Sequence, residues 1–251
     1  MAPEPRTAVP VVRPGRWFVP APPAGPLAFA FPYAGVGASS YRPWPARIGE
    51  VAVVAVQPPG RENRTREPAH RTHRAFAHDL ADALLPYLDR DYYFVGHCGA
   101  VPYALETIFE LERRGCPLPR RLVASSWGAP HRGLYGYLNF VDLSTADLHA
   151  ETRLLFARAG VPVREDFVDL LTQVLRHDLE TQRDYSYPAG ARVPVPVTLL
   201  GWTGDDVVPA DQVRPGWTEC AQVEYEELEG AHLAFLSCPA NLQRSLEHWL
   251  R

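Results

Sequence analysis

The stretch Tyr92-Tyr93-Phe94-Val95-Gly96-His97-Cys98-Gly99-Ala100 constrains this chain more than any other. An apolar run ends in Gly-His-Cys-Gly-Ala, and a helical pattern begins at once. Pro102 falls in the first turn of that pattern, where a missing N–H costs little, and Gly115 is a natural stop. A buried strand, one sharp turn and a helix N-terminus make the grammar of a nucleophile elbow, which presents one reactive side chain above the helix start. The common form is G-x-S-x-G. Here the apex carries Cys98, and the last small residue is Ala100.

An elbow needs a sheet to stand on, and the flanking sequence predicts one. Leu27–Phe31, Val51–Val56, Arg121–Ser126 and Val195–Gly201 are short, nearly continuous apolar runs, as expected of strands buried on both faces of a parallel sheet. A last strand is predicted around Val223–Leu228, and Trp17-Phe18-Val19 reads as an edge strand stopped by prolines. Helical spacing covers 72–89, about 99–114, 144–158, 164–184 and about 239–250. Strands alternating with helices predict the α/β class, with a mostly parallel central sheet flanked by helices. One domain over 1–251 is the economical reading, with a flexible Pro-rich lead-in at 1–16 and a helical insertion at about 140–184. Phe167, Leu170, Leu171, Val174, Leu175 and Leu179 form one apolar stripe in that insertion, read either as core packing or as the inner face of a substrate lid.

Composition removes several chemistries. All 25 basic residues are arginine, which excludes a P-loop lysine and a lysine Schiff base. A net charge of −4 gives no reason to expect nucleic acid or an anionic membrane as partner. No window approaches a transmembrane helix, and the N-terminus lacks the apolar core of a signal peptide, so a cytoplasmic protein is expected, monomeric by default. The four cysteines form no C-x-x-C pair, so no metal is expected, and Cys116, Cys220 and Cys238 lie on no comparable turn and read as structural. His70, His73 and His78 lack the spacing of paired ligands and read as surface histidines. Arg61, Arg64 and Arg66 follow a strand, as a solvated loop or a phosphate contact.

Three predicted strand ends carry Cys98, Asp205 and His232, in the order nucleophile, acid, histidine of the α/β-hydrolase fold. Sites in open α/β sheets form outside the carboxyl ends of the strands, so groups far apart in sequence can converge there. His232 would withdraw the thiol proton or hold a thiolate–imidazolium pair, with Asp205 fixing its tautomer and Asp206 as the fallback acid. The Gly99 N–H, just after the nucleophile, is one expected oxyanion donor. The small-residue loop Pro32–Ser40 is either a plain turn or the source of the second donor, at Ala34.

Further segments carry a family resemblance. Phe31-Pro32-Tyr33-Ala34-Gly35 with Ser39-Ser40-Tyr41-Arg42-Pro43-Trp44, Pro59-Gly60-Arg61-Glu62, Ser126-Trp127-Gly128-Ala129-Pro130-His131 and Gly230-Ala231-His232 resemble the type II thioesterases of polyketide and nonribosomal peptide biosynthesis. The likeness spans about 17–250. It implies an α/β-hydrolase with a lid, needing no cofactor of its own, that acts on acyl groups held on the phosphopantetheine arms of acyl or peptidyl carrier proteins. That family usually has Gly-His-Ser-Met-Gly where this chain has Gly-His-Cys-Gly-Ala. The departure makes the expected intermediate an acyl-Cys98 thioester and resembles acyl and aminoacyl transferases that move groups between carriers. A general esterase and a catalytically silent carrier-binding module are the alternative readings.

Overall fold

The computed structural model describes residues 16–251, so the lead-in predicted over 1–16 lies, but for Arg16, outside the described residues. The strands are β1 (Phe18–Val19), β2 (Leu27–Phe31), β3 (Arg47–Ile48), β4 (Val51–Val56), β5 (Tyr92–His97), β6 (Leu122–Ser125), β7 (Val197–Gly204) and β8 (Val223–Ala231). They form one sheet in the order β1-β4-β2-β5-β6-β7-β8, with β3 pairing β4 off that path. β1 and β3 run antiparallel to β4, and every other neighbour pair is parallel. β2, β4, β5 and β6 are buried at every position, which is why they read as unbroken apolar runs rather than alternating ones. Each large apolar side chain removed from water in such a layer contributes about 1.5–3 kcal/mol.

The longer helices are α1 (His73–Leu84), α2 (Ala100–Arg113), α3 (Leu148–Arg158) and α4 (Glu165–Arg183). The single-turn helices α5 (Ala210–Val213), α6 (Trp217–Cys220) and α7 (Ala234–Ser237) precede the closing helix α8 (Ala240–Trp249). α1 packs on α2 and α3 on α4. Thr72 caps α1 by accepting from the Ala75 amide, and Asp147 caps α3 by accepting from Ala150. The stripe on α4 divides in two: Val174, Leu175 and Leu179 are buried, whereas Phe167 and Leu170 at its outer end are exposed. Among the described residues no helix is long and apolar enough to cross a membrane.

Two expectations are overturned. Arg61 and Arg64 are buried rather than solvated. Arg61 is held by a bidentate pair to Asp178 on α4, at 2.9 and 2.5 Å, and Arg64 donates to the Gln57 carbonyl and to Glu67. His73 is likewise buried, its ring stacked 3.9 Å from that of Tyr103, and its pKa is pushed down to about 3 by desolvation. Local polarity suggested surface for all of these, but a guanidinium can be buried once a carboxylate from a distant helix meets it.

Candidate active site

Strands β5, β6, β7 and β8 are parallel neighbours, so their carboxyl ends open on the same edge of the sheet. The residues that leave those ends are Cys98, Ser126, Asp205 and His232, each immediately past its strand. Neighbouring strands lie about 4.8 Å apart, and side chains close the rest of the gap: Ser126 meets Asp205 at 2.7 Å, Asp205 meets His232 at 2.8 Å, and the ring of His97, next to Cys98, lies 4.5 Å from that of His232.

Cys98 occupies a left-handed backbone conformation, φ +51°, between β5 and α2. A non-glycine residue there stores about 1–3 kcal/mol of strain, retained only where the surroundings over-determine it. Here its amide donates to Ser125 O at 2.8 Å and its carbonyl accepts from the Val101 amide at 3.0 Å, which pins both sides of the turn. A Cβ on Gly96 would stand 3.4 Å from the Val101 backbone, so strand and helix cross closely as the elbow requires. The Cys98 side chain is half-buried, whereas Cys220 and Cys238 are enclosed.

His232 Nδ1–H donates to the two oxygens of Asp205 at 2.9 and 2.8 Å. Asp205 also accepts from the Ser126 hydroxyl at 2.7 Å and from the Val207 and Val208 amides at 2.9 and 2.8 Å. Asp206 turns outward to Arg158, at 3.4 Å, so Asp205 is the acid that meets the histidine. Burial works against the Asp205 carboxylate, but the His232 hydrogen bond and charge, with the Ser126 and Val208 donors, bring its pKa down from 3.8 to about 2. Burial would also lower His232. The charge on Cys98 and the hydrogen bond to Asp205 outweigh it and raise the imidazole from 6.5 to about 10. Carbamidomethylation of Cys98 removes that sulfur charge, so the His232 titration, followed by NMR of its ring protons, should move down from about 10. A titration that stays in place would show that the sulfur does not set it.

His97 lines the floor beneath this pair. Its ring stacks on Phe235 and lies 4.5 Å from that of His232, and Nδ1 is 3.0 Å from Ser125 Oγ, which itself accepts from Trp202 Nε1 at 2.9 Å. Desolvation first, and the neighbouring His232 charge second, hold His97 well below its ordinary pKa, so it stays neutral beside a charged partner.

The loop after β2 is braced from two directions. The Gly35 amide donates to Asp178 at 2.8 Å, and Arg61 donates to Val36 O at 2.8 Å. Glu62 accepts from the Ser39 hydroxyl at 2.5 Å and the Ser39 amide at 3.1 Å. Arg61 and Glu62 of the segment Pro59-Gly60-Arg61-Glu62 thus clamp the loop that carries Ala34. Among the described residues, the Gly99 and Ala34 amides donate to no protein acceptor. Ser126, Asp178 and Gln182 of α4 are the site residues that sequence reasoning passed over. The visible signal for the last two was a pair of polar positions, four apart, beside the apolar stripe of α4.

Residues 27–250 match the family model described as a thioesterase domain. The chain is 29% identical over 252 residues to the linear gramicidin dehydrogenase LgrE of Brevibacillus parabrevis, covering 96% of this chain and 94% of that protein. It is 33% identical over 179 residues to a probable cadicidin biosynthesis thioesterase of Streptomyces griseus, which is 70% of this chain but only 48% of that relative. Among solved structures, the RedJ thioesterase of the prodiginine biosynthetic pathway in Streptomyces coelicolor superposes with a TM-score of 0.73 at 32% identity, over 92% of this chain and 89% of that one. The type II thioesterase BorB of the borrelidin biosynthetic cluster superposes with a TM-score of 0.74 at 25% identity, over 94% and 98% of the two chains.

Proposed function

The chain belongs to the thioesterase family, and from that premise we propose that it takes acyl or aminoacyl groups from the phosphopantetheine thioester of a carrier protein onto Cys98. The observation that carries the proposal is the Asp205–His232 pair coupled to a sulfur raised on a strained turn whose next amide, that of Gly99, is unpartnered among the described residues. In the first step the Cys98 thiolate attacks the thioester carbonyl carbon, and the carbonyl electron pair moves to oxygen. The Gly99 and Ala34 amides receive that oxyanion, and Asp205 holds His232 in the donating orientation. Collapse expels the pantetheine thiolate, which takes its proton from the His232 imidazolium. Loss of the sulfur charge on acylation then lets His232 serve as the base for the incoming acceptor.

Cysteine at the apex changes the balance of the second step. An acyl-Cys thioester has the same bond type as the carrier thioester, so exchange between them is close to energetically even. A serine oxyester would instead make return to a thiol uphill. The proposed reaction is therefore delivery of the acyl group to a second thiol or an amine, with hydrolysis as the slower exit. The helical insertion over 140–184, whose outer end exposes Phe140 and Phe167, is proposed to act as the lid over this site.

The test is intact-protein mass spectrometry of the chain mixed with an acyl-loaded carrier protein. An adduct of the acyl mass is expected, and it should pass to an unloaded carrier added afterwards. An adduct lost at the same rate with and without that acceptor would leave hydrolysis as the function. Neither adduct nor turnover would sink the reading.

A further inference from the structure

Gln182 is 2% exposed and reaches from α4 to the elbow, where its carboxamide nitrogen lies so close over Gly99 that a Cβ there would run into it. Its orientation follows from a short network. Asn139 Nδ2 donates to Tyr135 O at 2.7 Å, which sets the Asn139 amide. The same nitrogen donates to Gln182 Oε1 at 3.1 Å, so Nε2 is the atom turned toward Gly99. Among the described residues that nitrogen has no acceptor, although it is buried. A buried N–H without a partner costs about 1–3 kcal/mol. It therefore points to an acceptor supplied from outside the chain.

The position fits a specific one. One turn earlier on the same helix face, Asp178 holds the Gly35 amide, next to Ala34. A single helix thus touches both halves of the proposed oxyanion pocket, Gly35 through Asp178 and Gly99 through Gln182. We propose that Gln182 Nε2–H is a third donor to the acyl carbonyl oxygen, a side-chain contact brought in by the insertion and strengthened as that oxygen becomes an oxyanion. This inference rests on the acyl-Cys98 reading above. It makes the position of α4 a condition of acyl transfer, because the donor travels with the helix.

The discriminating variant is Gln182→Glu, which keeps the acceptor facing Asn139 and the side-chain volume but replaces the N–H by a carboxylate oxygen. Single-turnover acylation of Cys98 by an acyl-loaded carrier should slow by about 100-fold, with the carrier concentration at half-maximal rate little changed. Gln182→Leu, which removes the donor without adding charge, should slow it by about 10-fold or more. Alkylation of Cys98 by iodoacetamide is displacement at a saturated carbon and forms no oxyanion. Its rate should stay within about 2-fold of the unchanged chain in Gln182→Leu, which adds no charge beside the nucleophile and its histidine. Equal losses of acylation and alkylation in Gln182→Leu would make Gln182 a structural support and overturn the inference, as would an unmoved acylation rate. No acyl adduct on the unchanged chain, with alkylation intact, would instead overturn the parent reading and this inference with it.

Discussion

Cys98→Ala should carry no acyl group under conditions where the unchanged chain is loaded, and its turnover of acyl carrier should fall by about 10^4-fold or more. The size of the loss follows from how the parts depend on one another. Asp205 and His232 accelerate nothing without a nucleophile to orient against, so removing the sulfur leaves only the donors of the oxyanion pocket and the docking of the carrier. Cys98→Ser separates chemistry from position, because serine tolerates the same turn and keeps a nucleophilic oxygen at the apex. Its acyl group would be an oxyester, so the ratio of hydrolysis to thiol acceptance should rise while the adduct persists. The two variants are read by adduct mass and by the partition of label between water and an added carrier. An adduct surviving in Cys98→Ala would place the acyl group on another residue and end the proposed mechanism.

Asp178→Ala should lower the unfolding free energy by about 3–5 kcal/mol, read from the denaturant midpoint. Arg61 is 8% exposed, and Asp178 is the only carboxylate bonded to its guanidinium among the described residues. Desolvation acts to lower the Arg61 pKa, and the charge of Asp178 reverses that and raises it. Without Asp178 a buried charge stands alone, and the Gly35 amide loses its acceptor as well. The double variant Arg61→Leu with Asp178→Leu should recover the share of the loss that comes from the unpaired ion, while the Gly35 amide and the Val36 carbonyl stay without these partners. A single-variant loss below about 1 kcal/mol, the range of an exposed ion pair, would show that water reaches this site. Activity should fall along with stability, because the same carboxylate ties α4 to the loop that carries Ala34.

The layout of the site explains how far the sequence could be read. Strands such as Leu27–Phe31 and Val51–Val56 are unbroken apolar runs because both faces of a parallel sheet are covered, and that signature is local to each run. Elbow, acid and histidine are legible for the same reason: each sits at the end of a strand whose own residues announce it. The extension of β8 to Ala231 and the two-residue strand β3 escaped notice, because pairing with a neighbour defines them rather than their own composition.

What the sequence determined by itself was therefore the α/β class, the elbow at Cys98 and the candidacy of Asp205 and His232. These depend on periodicity and on the order of strand ends. Only the tertiary structure decided between Asp205 and Asp206, adjacent carboxylates separated by the direction in which a turn points them. It also turned Arg61 from a solvated charge into the partner of Asp178, 117 positions away. And it brought Gln182 onto Gly99. The physical reason is common to all three. The fate of a polar side chain depends on which distant group desolvates and answers it, and that is a property of packing, which no local pattern encodes.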